Sequence, residues 1–172
     1  MAQEEETTLG STLMTAPMVN PSTPAESTAL ATIQSALFTA ESMISYARRR
    51  QVMIFELERL QLLTRKSLPE PVLASLQGDV DRAMGEVKQV DAAISRFGDL
   101  YLSRLSQGAA VPEAQMNEQM LSMEQELSLE EGFNESQKSR LELFVLFKDH
   151  LDRMRSDPKR VTKTVVLEDI IP

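Results

Sequence analysis

The feature of this sequence that most restricts its fold is an apolar repeat of 3.5 residues in its middle. Nine residues follow one another at alternating intervals of three and four: Leu73, Leu76, Val80, Ala83, Val87, Val90, Ile94, Phe97 and Tyr101. A helix with this repeat buries one stripe against another helix in left-handed coiled-coil packing. The pattern predicts a long helix that ends near Gly108. Gly78, Gly85 and Gly98 each cost about 1 kcal/mol relative to alanine, so packing must stabilise this helix.

A second long helix is predicted before it, from Ser27 to about Lys66. Its apolar residues recur with the same spacing, lapse at Arg48–Gln51 and then resume: Leu30, Ile33, Leu37, Ala40, Ile44, Ala47, Ile54, Leu57 and Leu60. This pattern indicates a helix of about 39 residues, or about 58 Å. The five residues Ser67–Pro71 contain two prolines and form a short connection, which is typical of an antiparallel hairpin.

Two shorter helices are predicted after Pro112. Met116, Met120, Met123 and Leu127 mark the third helix, which ends at Gly132. Asn134 or Ser136 caps a fourth helix that runs to about Arg155 and buries Leu141, Phe144, Phe147, Leu151 and Met154. End to end, the two equal one long helix, which suggests a third, broken rung on the hairpin. The predicted fold is all-α: a long, coiled-coil-like antiparallel αα-hairpin and two shorter helices in a three- or four-helix bundle over residues 27–156.

The two ends of the sequence have a different character. Residues 1–26 are rich in Ser, Thr and Pro, contain four glutamates and lack Lys and Arg, which predicts a disordered acidic tail. Residues 157–172 are predicted to be an extended C-terminal tail, because β-branched residues disfavour helix. Its apolar residues either fray or dock on another subunit as a strand or in a groove: Val165, Val166, Leu167, Ile170 and Ile171.

The composition removes most of the side chains used in catalysis. Cysteine and tryptophan are absent and histidine occurs once, so the usual zinc, haem and iron–sulfur ligand sets cannot be assembled. Nucleotide-binding glycine motifs and the nucleophile-elbow motif are also missing. We therefore predict no catalytic residue, cofactor, metal or small-molecule substrate. His150 is expected at an exposed or boundary position, since it has no second histidine or cysteine beside it.

Charge and hydropathy restrict the partners and the compartment. The chain has 18 basic and 26 acidic residues and a net charge of −8, which disfavours nucleic acid and anionic membranes. Its longest apolar run, Leu143–Phe147, is far shorter than the roughly 20 residues of a membrane span. The first residues also lack the pattern of a secretory signal. A soluble intracellular protein, cytoplasmic or nuclear, is the expectation.

Two local features have two interpretations each. Residues 27–66 carry six basic and three acidic residues, whereas residues 107–135 carry seven glutamates and no basic residue. Either these helices meet within one molecule, or Arg48, Arg49 and Arg50 contact the acidic face of a partner. The methionine stripe of Met116, Met120 and Met123 is either core or an adaptable binding surface.

These observations favour a non-enzymatic helical subunit, adaptor or scaffold of a multi-protein assembly. The residues predicted to make its contacts are the seam from Leu73 to Tyr101, the three arginines and the C-terminal apolar segment. Other helical proteins are the favoured partners, and homo-oligomers are possible. One alternative is a self-assembling structural protein of the virion or cytoskeletal kind. Another is an acidic helical chaperone whose methionine stripe shields a basic or aggregation-prone client.

Overall fold

The structure, a computed structural model, describes residues 24–129 and 135–171. These ranges form five α-helices and a short 3-10 turn: α1 (Pro24–Thr64), α2 (Glu70–Ala110), α3 (Glu113–Leu129), α4 (Glu135–Ser156), the turn at Pro158–Arg160 and α5 (Lys163–Ile170). They contain no strand, and the predicted all-α bundle is confirmed. Residues 24–26, predicted as the end of the disordered tail, belong to α1 instead, and Ser136 lies inside α4 and does not cap it. Residues 1–23 of the tail, the helix end at Gly132 and the cap at Asn134 lie outside the described residues.

The long hairpin predicted from the apolar repeat is formed by α1 and α2. Each helix has 41 residues, which corresponds to about 60 Å. Residues 65–69 connect them. Pro69 precedes α2, and its carbonyl accepts hydrogen bonds from the Val72 and Leu73 amides. Glu70 lies in the first turn of α2, where a negative charge stabilises the helix dipole.

The core lies at one end of this hairpin, where α3 and α4 pack against it. Buried side chains from all four helices form one cluster, including Ile33, Leu37, Met43, Tyr101, Leu105, Met116, Met120, Phe144, Phe147 and Leu151. The expectation that α3 and α4 lie end to end along the hairpin is wrong. A methyl group at Gly108 would lie within 3.5 Å of Met116 of α3 and of Phe147 and Leu151 of α4, so the two helices lie beside each other and share one core.

Two glycines allow other helices to approach the backbone of α2 closely. A methyl group at Gly108 would lie 2.9 Å from a Leu151 methyl carbon, and one at Gly98 would lie 3.3 Å from a Leu167 methyl carbon. Leu151 belongs to α4 and Leu167 to α5. At these two positions the missing side chain makes room for helix packing within the chain.

The prediction of an extended C-terminal tail is wrong. Asp157 caps the 3-10 turn, and the Thr162 side chain accepts a hydrogen bond from the Val165 amide at the start of α5. Val166 and Ile170, one helical turn apart, are both buried against the bundle. Apolar burial on this scale stabilises the segment by more than the small preference of β-branched residues against helix. The segment therefore docks on its own chain.

The other half of the hairpin projects from the bundle as two helices alone. We call residues 48–91 the arm. Of these residues, only Val80 and Val90 are buried. The apolar seam between α1 and α2 continues through the arm, but most of its side chains are half-exposed because α3 and α4 do not cover them. The arm extends about 25 Å beyond the bundle along α1.

We predict that Phe147→Ala destabilises the protein by about 3–5 kcal/mol, because it opens a cavity in the shared core. Phe147 is fully buried and its ring packs on that of Tyr101. The matched control is Val145→Ala on the same helix, at a side chain that is 54% exposed. The control is expected to change the free energy of unfolding by less than about 0.5 kcal/mol. Urea unfolding followed by circular dichroism measures both variants, and equal losses would contradict the placement of the core.

Candidate functional site

The side of α1 that points away from α2 carries large exposed apolar side chains in the arm. Val52 is 70% exposed, Phe55 72% and Leu62 58%. They follow a heptad spacing, with Arg59 between Phe55 and Leu62. We call Val52, Phe55, Arg59 and Leu62 the outer face of α1. Burying such a row against another helix would gain roughly 25 cal/mol per Å² of apolar surface.

The half-buried residues of α1 show which side of this helix faces α2. Ile54, Leu57 and Leu60 are partly covered by α2. Because an α-helix advances about 100° per residue, Phe55 and Leu62 lie about half a turn away from them. The outer face therefore points away from α2. In the sequence, the signal for it is a second heptad row beside the buried seam: Arg48, Val52, Phe55, Arg59, Leu62 and Lys66.

The charge on the α1 side of the arm is set by its basic residues. The Arg59 guanidinium donates to both carboxylate oxygens of Glu56, over 2.6 and 3.0 Å. This hydrogen bonding lowers the pKa of Glu56 below its usual value. Residues 48–66 carry six basic residues against two acidic residues. The α1 side of the arm is therefore positive in a chain of net negative charge.

The three consecutive arginines have different surroundings. Arg48 and Arg49 are exposed, whereas Arg50 forms an ion pair with Asp91 of α2. The pair connects the two helices at the base of the arm. α1 and α3 pack against each other within the chain, but no ion pair joins them among the side chains that the structure describes. Arg48 and Arg49 remain the arginines available to an acidic partner.

The side of α2 that points away from α1 is lined by small and charged residues. Gly78, Asp81, Gly85 and Lys88 are all exposed. We call these four residues the outer face of α2. The seam residues Val80, Ala83 and Val87 point the opposite way, toward α1. The arm is thus a two-helix ribbon with a bulky, basic outer face on one edge and a narrow outer face on the other.

A groove lies where the arm joins the bundle. It has a volume of about 400 Å³ and is lined by Ile44, Ala47, Arg48, Arg50, Gln51, Asp91, Ile94 and Ile171. One wall is apolar and another carries the Arg50–Asp91 pair. The C-terminal end of α5 forms part of its rim, so α5 limits the space at the base of the arm.

A polar network that is buried at Tyr101 and His150 and reaches the surface at Asp169 holds α5 in this position. Tyr101 of α2 lies 2.9 Å from Nδ1 of His150 on α4, and Nε2 of His150 lies 2.9 Å from Asp169 on α5. A carboxylate only accepts, so Nε2 carries a proton, and in the neutral imidazole Nδ1 then accepts from the Tyr101 hydroxyl. Burial, with the Asp169 carboxylate nearby, raises the pKa of Tyr101 above its usual range. The raised pKa keeps the hydroxyl protonated as a donor.

The expected exposed or boundary position of His150 is wrong, because the imidazole is fully buried. Its partners come from helices that are distant in the sequence, so no local pattern indicates them. Arg153 also lies 3.6 Å from Asp169 and neutralises part of its charge. The network joins three helices and leaves the ring no path to a substrate in this conformation. We therefore assign it a structural role in fixing α5.

Most of the other residues predicted to contact partners are buried or half-buried within this chain. Leu73, Leu76, Val87 and Phe97 are half-buried, and the seam residues Val80, Val90, Ile94 and Tyr101 are buried. Val165, Leu167 and Ile171 are half-buried beside the buried Val166 and Ile170. Met116 and Met120 are core residues, and the side chain of Met123 lies outside the described ones. A role of the seam in contacts with other subunits stays a prediction.

The described part of the chain holds neither a metal-binding cluster nor a membrane-spanning helix. Residues 24–129 and 135–171 contain no group of three or more His, Cys, Asp or Glu side chains that could hold a metal ion. The helices in these ranges include none that is both long and apolar enough to span a membrane. Comparisons with protein-family models, curated proteins and solved structures returned no match to this chain.

We predict that the Tyr101 network makes the protein less stable at alkaline pH. The folded-state pKa of Tyr101 is raised above the unfolded value of about 10, so its contribution is complete below pH 10 and is lost as the pH rises further. Tyr101→Phe should reduce this alkaline loss. At pH 7 the same variant should cost about 1–3 kcal/mol, because His150 loses a buried partner.

Urea unfolding between pH 7 and 11.5 measures both effects. Tyr46→Phe is the control, since Tyr46 stacks on Phe97 at 5.6 Å outside this network. An unchanged alkaline slope in Tyr101→Phe, together with an unchanged stability at pH 7, would contradict the assigned role.

Proposed function

We propose that this chain is a non-enzymatic helical subunit or adaptor of a multi-protein assembly, and that its arm makes the contacts with other subunits. The observation that carries the proposal is the outer face of α1. Three large apolar side chains, each at least 58% exposed, form a row at coiled-coil spacing on a projecting helix. Isolated exposed apolar residues are common on soluble proteins, but an ordered apolar row marks an interaction surface.

The division of the molecule supports this proposal. The bundle end has a closed core from four helices, and α5 is fixed to it by the Tyr101–His150–Asp169 network. The arm does not contribute to that core. A stable anchor with a projecting two-helix arm is suited to presenting a helix face to another helix.

The buried methionines count against a chaperone that uses the methionine stripe. Met116 is fully buried and Met120 is 3% exposed. Their burial leaves these two side chains no client-binding surface. Self-assembly is the second candidate. It is favoured because the outer face of α1 carries large side chains and the outer face of α2 carries two exposed glycines, Gly78 and Gly85.

The test is quantitative purification of the tagged chain from its native cells, with and without the outer face of α1. Wild type should retain a fixed-ratio set of subunits, and the variant Val52→Ser/Phe55→Ser/Leu62→Ser should lose it. The three substitutions lie on an exposed helix face, so the free energy of unfolding should change by less than about 1 kcal/mol.

The matched control is Leu121→Ser/Val145→Ser. These residues are 55% and 54% exposed on the bundle end, and the control should retain the full set. Retention of the same set by the arm variant, or its loss from the control alone, would overturn the proposal. If no other protein co-purifies with the wild-type chain in a fixed ratio, the proposal of an assembly with other proteins is overturned.

A further inference from the structure

The glycines of α2 follow two patterns. Gly98 and Gly108 lie beneath side chains of α5 and α4 that approach the backbone closely. A methyl group at Gly78 or Gly85 would meet nothing within 4 Å. Each glycine in an exposed helix interior costs about 1 kcal/mol relative to alanine. Within one molecule this cost at Gly78 and Gly85 has no compensating contact.

The two outer faces of the arm have matching spacing. The outer face of α1 places its four residues at intervals of three, four and three, and the outer face of α2 does the same. When such faces meet antiparallel, each residue of one lies opposite one residue of the other. Phe55 then lies opposite Gly85, Leu62 opposite Gly78 and Arg59 opposite Asp81. The remaining pair places Val52 against the aliphatic part of Lys88, a contact that leaves the ammonium group in water.

The register proposed between the two outer faces differs by only one residue from the register between α1 and α2 within one chain. Within one chain, Arg50 of α1 pairs with Asp91 of α2. Continuing that antiparallel register places Arg59 opposite Arg82, which is paired with Asp79 of its own helix, and a shift of one residue brings Arg59 opposite Asp81. A second hairpin placed beside the first, with little sliding along the axis, therefore puts the large side chains over the glycines.

We propose that a second copy of this chain occupies the outer face of α1, with the outer face of its α2. The inference rests on the proposed function, because it names the partner of the same arm. Charge also favours this occupant. Residues 48–66 carry six basic and two acidic residues, and residues 70–91 carry five acidic and two basic residues, so α1 of one arm attracts α2 of the next.

A symmetric contact of α1 with α1 is disfavoured by the same charges. It would bring Arg48, Arg59 and Lys66 of both copies to one interface, where like charges repel. The contact of α1 with α2 is heterologous and leaves one outer face free on each terminal copy. Association therefore continues into rings or open rows. A helix face of about 25 Å is smaller than a standard interface, so we expect weak association at high micromolar concentrations.

Cysteine cross-linking tests the alignment directly, because the natural chain contains no cysteine. Equal amounts of Phe55→Cys and Gly85→Cys full-length chains are mixed at about 200 µM and oxidised mildly. We expect cross-linked dimers to form at least tenfold faster than from Phe55→Cys mixed with Val145→Cys. The double variant Phe55→Cys/Gly85→Cys should give a ladder of multimers, since its two thiols lie on opposite edges of one arm.

A charge exchange and a steric block test the same contact without thiols. Arg59→Asp alone and Asp81→Arg alone should each lower self-association at least tenfold in sedimentation velocity, and the combined variant should restore it. Gly78→Leu/Gly85→Leu should remain folded with an equal or higher melting temperature, because leucine favours helix and these positions are open. The same double variant should abolish self-association.

A purely monomeric wild type at 200 µM, or equal cross-linking rates for the two mixtures, would overturn the inference. Faster cross-linking of Phe55→Cys to itself would replace it with a symmetric α1 contact. If the chain stays monomeric but its native partners still depend on Val52, Phe55 and Leu62, the proposed function stands and only the second copy is excluded.

Discussion

The structure depends on the apolar seam between α1 and α2. The seam holds two 41-residue helices together along their full length, although only half of that length is covered by a bundle. Two helices alone bury little surface, so the arm relies on half-exposed seam contacts and on the Arg50–Asp91 pair. A pair exposed to this degree contributes at most about 1 kcal/mol. The arm is therefore the part of the molecule with most to gain from a further helix.

The asymmetry between the bundle and the arm explains the placement of the remaining elements. Once α3 and α4 pack side by side, their aromatic and methionine side chains complete a core with the N-terminal half of α1 and the C-terminal half of α2. α5 then covers Gly98 and brings Asp169 to His150. Each of these contacts strengthens the same end of the hairpin. None of them reaches the outer faces of the arm, where Val52, Phe55 and Leu62 remain exposed.

Periodicity alone predicted the elements that repeat over many turns. The nine-residue seam located α2, the apolar spacing from Leu30 onward located α1 to within three residues of its start, and the proline connection indicated their antiparallel arrangement. Contacts between distant segments were not predictable in this way. The docking of α5 depends on Val166 and Ile170 meeting the bundle, and the burial of His150 depends on partners 49 and 19 residues away. The outer face of α1 was present in the sequence, but the buried seam dominates the same helix.

Amide hydrogen exchange at two protein concentrations tests most directly whether the arm is the association surface. At about 1 µM, the amides of residues 48–91 should exchange faster than those of the bundle, because few buried contacts protect them. At about 200 µM, the arm amides should become more protected while those of α4 stay unchanged. If the arm amides are equally protected at both concentrations, or if only the bundle amides gain protection, this account is contradicted.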